Sequence, residues 1–104
     1  MMPPQTDFEE AAVAESEEKV EEPPLFKVLL HNDDFTTMEF VVWILESVFN
    51  MAEEQAIQVM LNVHLRGIGV AGIYTFEIAE TKVERVTSLA REQEFPLLVT
   101  LEPA

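Results

Sequence analysis

Cysteine is absent from the 104 residues, glycine occurs three times, and only six Lys and Arg stand against 20 Asp and Glu. Without a thiol there are no disulfides, thiolate nucleophiles or Cys-ligated zinc or iron–sulfur sites, which leaves two His as the strong transition-metal ligands. So few glycines make no phosphate-cradling loop, and no G-x-S-x-G occurs. The shortage of basic residues gives a formal net charge of -14 and an isoelectric point near 4.2. A phosphate backbone or an anionic membrane would be repelled, because nucleic-acid affinity rests on Lys and Arg displacing counterions. No apolar run approaches the roughly 20 residues that cross a bilayer. The opening MMPPQTDFEEAAVAE also lacks the basic start and apolar stretch of a secretory signal. The expectation is a soluble protein not visibly addressed for export, with the cytosol favoured.

What the chain does have is apolar mass: 48% hydrophobic residues, seven Phe and one Trp, enough for the core of one domain. It is unevenly spread. Residues 1–22 carry eight acidic side chains against Lys19, a net of -7 and half the total. Self-repulsion and few large apolar groups cannot offset an ordering cost of about 1 to 2 kcal/mol per residue. A flexible acidic arm is therefore expected over 1–22, serving either solubility or partner contact, with a core domain over 23–104. Pro23 and Pro24 disfavour helix before them and mark the junction.

From Leu25 the run LFKVLLHND is rich in strand formers and closes on turn residues. Thr36 or Thr37 can cap a first helix running to about Asn50, with Glu39 in its first turn and Phe40, Val41, Ile44, Leu45 and Val48 at helical spacing. A second helix opens near Glu53 and Glu54, carries Ile57, Met60, Leu61, His64 and Leu65 on one stripe, and stops at Gly67 and Gly69. VAGIYTFEI reads as a strand. A third helix from about Ala79 to Glu94 turns Val83, Val86, Leu89 and Ala90 inward, and LLVTL after Pro96 forms a last strand. The order strand, helix, helix, strand, helix, strand predicts an α+β domain: a small three-stranded antiparallel sheet with three helices packed on one face.

Two clusters stand out chemically. In HNDDFTTM an amide and two carboxylates lie between a strand and a helix, where rigid neighbours can aim them. Asn32 donates or accepts and ionised Asp33 and Asp34 only accept, which suits a cationic donor, although Asn-Asp-Asp-x-Thr is also ordinary turn and capping chemistry. In MLNVH, Met60, Val63 and His64 share a helix face. They form either a packed wall or an apolar wall with one polar end, and Met38 with Val41 could face it. A metal-assisted hydrolase would combine Asp33, Asp34 and His64, but it lacks a His-x-x-x-His pair and a third neutral ligand.

The segments FKVLLHNDDFTTMEFV, MLNVHLRGIGVAGIYTFEIAETKV and EFPLLVTLE, in this order and spacing, make the chain similar to the ClpS adaptors. These small non-catalytic proteins recognise N-end-rule degrons and hand them to the N-terminal domain of a ClpA-type AAA+ unfoldase. The resemblance covers about Pro24 to Glu102, and it implies a bacterial cytoplasmic protein, with the plastid stroma as the alternative. It implies that Asn32, Asp33, Asp34 and His64 hold the α-amino group of a substrate's first residue, with Thr36 at the pocket mouth. It also implies that Met38, Val41, Met60, Val63 and Leu97 line a hole for a first side chain of Leu, Phe, Tyr or Trp. Glu77 and Lys82 would face the unfoldase, and the arm would serve delivery; no cofactor is implied. Thr37 stands where many members have Pro, which touches the helix start. A further alternative is an unfoldase-binding domain whose pocket is filled by its own side chains.

The chemistry fits that implication. An α-ammonium brings three donors, and an amide oxygen, carboxylates and a neutral imidazole are acceptors of matching number and sign. Charge-assisted hydrogen bonds contribute roughly 1.5 to 3 kcal/mol each, and burying one large apolar side chain roughly 1.5 to 3 more. Less the entropy of association, binding should be micromolar or somewhat tighter. Met38 would exclude Ile and Val, which branch at Cβ beside the backbone clamp.

Overall fold

In a computed structural model, which describes residues 22–104, six elements follow in the expected order. They are β1 (Leu25–His31), α1 (Met38–Ser47), α2 (Glu53–Arg66), β2 (Ile68–Thr75), α3 (Phe76–Glu92) and β3 (Leu98–Pro103). The expected arm, residues 1–21 above all, lies outside the described residues. β1 is the central strand, antiparallel to β2 on one side and β3 on the other, with its register against β2 shifted at Val28/Leu29. Val28 and Leu30 point from β1 into the core, where they meet Phe40, Ile44 and Leu45 of α1, Ala56 and Val63 of α2, and Ala79, Val86 and Ala90 of α3. The alternate residues lie on the other side of the sheet, where Lys27 pairs with Glu102 at 3.4 Å and His31 Nε2 lies 2.7 Å from Thr100 Oγ1. The helices thus cover one face.

α1 starts where Thr37 accepts the Phe40 amide on Oγ1 at 3.1 Å, so a hydroxyl supplies the cap. α1 ends at Val48, and Asn50 turns the chain with φ 56°. α2 has no side-chain cap, but Glu53 and Glu54 sit in its first turn, where the helix dipole favours carboxylates.

Two expectations need correction. The third helix begins at Phe76, three residues before Ala79, and ends at Glu92, because Thr75 is still extended and Glu94 has a φ of 61°. Phe76 is drawn to the sheet by an edge-on contact with Phe26, centroids 5.2 Å apart. The buried face of α2 is also rotated by one residue. It runs through Ala56, Val59, Met60 and Val63, while Ile57, Leu61, His64 and Leu65 are exposed. The cause is Gly69, the second residue of β2. A Cβ there would lie 2.7 Å from Val63 Cγ2 and 3.2 Å from the Val59 carbonyl, so the glycine lets β2 press directly on the Val59–Val63 side of α2.

Candidate functional site

The loop between β1 and α1 is held by one residue. Asp33 Oδ1 accepts the amides of Phe35 (2.8 Å) and Thr36 (2.7 Å), and Oδ2 accepts the Thr36 hydroxyl (2.7 Å). Partial burial by itself would raise the Asp33 pKa, but the hydrogen bonds from the Thr36 amide, the Thr36 hydroxyl and the Phe35 amide together hold it below the usual carboxylate value. Oδ1 has both lone pairs occupied, and Oδ2 keeps one for a ligand.

A second tie brings distant sequence to this loop. α2 ends at Gly67, whose φ of 89° is the left-handed conformation of a helix C-terminus, and whose amide donates to the Val63 carbonyl at 2.9 Å. Its own carbonyl then accepts the Asn32 amide at 2.9 Å. Asn32 at the end of β1 and His64 in the last turn of α2 are therefore neighbours through backbone, without any side-chain contact between them being needed.

Between loop, α1 and α2 lies a cleft of about 360 Å³. Asn32, Asp33, Asp34, Phe35, Thr36 and Thr37 line it from the loop, Met38 and Val41 from α1, and Met60, Val63 and His64 from α2. Val41 and Val63 are almost fully buried and form its depth, and Asn32, Asp34 and His64 are exposed at the rim. One wall of acceptors thus stands over an apolar interior, an arrangement that can take a group with a cation at one end and a greasy body at the other.

Nine of the ten side chains singled out for first-residue recognition come together here; Leu97 does not. It is buried in the core and lines a separate groove beside Phe95, Pro96, Val99, Thr87 and Arg91, because Pro96 and the start of β3 turn it toward α3. Phe35, which the residue patterns did not single out, lines the cleft with 74% of its surface exposed. An aromatic flanked by a carboxylate and a threonine in a loop was the available signal. His31, the other histidine, is engaged with Thr100 across the sheet. Glu77 is exposed in the first turn of α3. Lys82 is turned into the fold: its ammonium donates to the Val48 carbonyl at 2.7 Å and lies 5.6 Å from the Tyr74 ring centroid. It ties the end of α1 to α3.

Among the described residues, no three His, Asp or Glu side chains come together as a group that could hold a metal ion. The hydrolase alternative therefore has no ligand set there.

The profile of the family described as "ATP-dependent Clp protease adaptor protein ClpS" matches residues 21–100. The chain belongs to the ClpS family. The ClpS adapter of Desulfatibacillum aliphaticivorans is 57% identical over 91 residues, covering 88% of each chain. That of Myxococcus xanthus is 52% identical over 86 residues, covering 83% of this chain and 80% of its own. In three dimensions the chain is similar to Agrobacterium tumefaciens ClpS2 bound to L-phenylalaninamide, with a TM-score of 0.77 and 43% identity, covering 80% of this chain and all of the other. Membership of ClpS makes this chain an adaptor of the Clp protease, a protein named for serving a protease and not for cleaving bonds itself. No described helix is long and apolar enough to cross a membrane.

Proposed function

We propose that the cleft captures the exposed first residue of another polypeptide, taking its α-ammonium on Asn32, Asp33, Asp34 and His64 and a Leu, Phe, Tyr or Trp side chain between Met38, Val41, Met60 and Val63. The observation that carries this reading is the joining of an acceptor rim and an apolar interior in one open cleft. Its volume lies at the low end of the roughly 300 to 1,000 Å³ of ligand pockets, a size for one residue and not for an extended ligand. The phenylalaninamide bound by the similar ClpS2 has a free α-amino group and one large apolar side chain, the two features the cleft is suited to receive. A domain whose hole is plugged by its own side chains fits poorly with a cleft that is open.

Captured chains then pass to the N-terminal domain of a ClpA-type unfoldase, with Glu77 on the exposed start of α3 as a docking contact and Lys82 supporting that surface from beneath. The test is a pair of peptides beginning with Leu or Phe, one with a free amine and one N-acetylated, titrated by fluorescence anisotropy. Acetylation removes the charge and two of three donors, each charge-assisted bond contributing roughly 1.5 to 3 kcal/mol, so a loss of at least about a hundredfold is expected. Equal binding of the two peptides would refute the ammonium clamp.

A further inference from the structure

The chain holds five Met and no Cys, so its oxidisable sulfur is thioether alone and no thiol competes for a peroxide. Two of the five line the cleft, Met38 from α1 and Met60 from α2. Both also line a second groove of about 440 Å³ between the same helices, so Met38 is open to solvent from two hollows. Their environments differ. Met38 is 46% exposed, whereas Met60, like Met51, is half-buried against the core. The apolar lining that Met38 shares with Val41, Met60 and Val63 contains no side-chain hydrogen-bond donor.

We propose that Met38 is a redox modification site: a peroxide converts its thioether to the sulfoxide, which weakens capture of Leu- and Phe-led chains until a methionine sulfoxide reductase restores it. The inference rests on the reading of the cleft as the seat of a substrate's first residue. In the forward step a lone pair on Sδ attacks one peroxide oxygen, the O–O bond breaks and the S–O bond forms, and after a proton transfer the second oxygen leaves as water. Sulfur is oxidised and peroxide reduced. In the reverse step two reductase thiols become a disulfide while the sulfoxide oxygen leaves as water. The sulfoxide is polar where the thioether was apolar. A Leu or Phe side chain entering the cleft strips water from that oxygen, and the apolar lining offers no donor in its place.

The experiment treats the full chain with limiting hydrogen peroxide, maps the added oxygen by mass spectrometry of its peptides, and measures Leu- and Phe-led peptides by anisotropy. Met38 should be oxidised before Met51 and Met60, and affinity should fall by about tenfold, the effect of desolvating one polar group without a partner. Treatment with methionine sulfoxide reductases A and B and dithiothreitol should restore it, since each enzyme reduces one sulfoxide epimer. With every variant compared with its own untreated sample, Met38→Leu should lose less than about twofold, because no sulfur remains at the cleft mouth to oxidise. Met51→Leu should lose as much as the unaltered chain. Oxidation of Met38 after Met51 and Met60 overturns the proposal, and so does full affinity in protein whose Met38 is oxidised. An equal loss in Met38→Leu overturns it too, by assigning the effect to another methionine, and the reductase arm stands without any variant. Untreated protein that binds free-amine and N-acetylated Leu peptides equally refutes the cleft, whereas amine-dependent binding indifferent to the Met38 sulfoxide refutes the redox site alone.

Discussion

Asp33 shows how one carboxylate can hold a loop together and still keep an acceptor for a ligand. Its two oxygens already hold Phe35 and Thr36, so its larger effect is to fix the loop on which Asn32, Asp34 and Thr36 sit. The Asn-Asp-Asp-x-Thr pattern was open to both readings, capping chemistry and cation binding. The structure shows the first for Asp33, and the proposed second rests on the lone pair that Oδ2 keeps; nothing in the letters separates them. Because the folded Asp33 pKa lies below its ordinary value of 3.8, the carboxylate form stabilises the fold at pH values above that, and the contribution disappears as pH falls through the folded pKa. Asp33→Asn keeps an oxygen for the amides but loses the charge, so it should destabilise by about 1 kcal/mol at pH 7. The gap to the unaltered protein should close during acid titration below about pH 4. Urea unfolding at pH 7, 5 and 3 measures this, and a gap of constant size across that range would show the hydrogen bonds to be indifferent to charge.

The two glycines flanking the end of α2 act at the level of elements, and their substitution should fail in different ways. Gly67 is left-handed with nothing within 4 Å of a prospective Cβ, so Gly67→Ala meets conformational strain alone, about 1 kcal/mol, and should leave peptide affinity nearly unchanged. Gly69→Ala meets Val63 at 2.7 Å, and Val63 is a wall of the cleft. Overpacking of this kind costs about 1 to 3 kcal/mol, and the displacement should reach the bound side chain and weaken Leu- or Phe-led peptides by tenfold or more. Thermal denaturation and anisotropy on both variants decide it: unaltered affinity in Gly69→Ala would mean that β2 does not set the position of Val63. The same contact explains why the buried stripe of α2 was misread from sequence. Ile57, Leu61 and Leu65 are the larger apolar residues and were expected inside, yet the close approach made possible by a residue with no side chain favours the smaller face of Ala56, Val59 and Val63. Periodicity located the helix but could not choose between faces one residue apart. The early start of α3 has a similar cause, since Phe76 is a strand former by type, and its contact with Phe26 from the far end of β1 is invisible locally. Leu97 was tied to the cleft by resemblance to a family motif, whereas its position depends on how Pro96 leads the chain into β3.

At the scale of the whole molecule the dominant fact is charge, and it is divided almost equally between the first 22 residues and the core. The cleft brings its own carboxylates, Asp33 and Asp34, so the proposed first-residue recognition needs nothing from the acidic stretch except its long-range field. That field is weak in the cell, where the Debye length is about 8 Å at 0.15 M salt. Removing residues 1–20 should therefore leave peptide affinity at that ionic strength within about twofold, while slowing association of cationic peptides at low salt, where screening is lifted. The proposed delivery is a separate step. It would require the substrate to leave the cleft for the unfoldase, and in that proposal the acidic stretch that precedes Pro23 and Pro24 is offered to the unfoldase while the core stays bound. With a Leu-led reporter, a ClpA-type unfoldase and its peptidase, the truncated adaptor should form the substrate complex but support no adaptor-dependent degradation above background. Undiminished degradation would remove the stretch from the delivery step, and loss of peptide binding would instead place it in the recognition site, which the geometry of the cleft does not require.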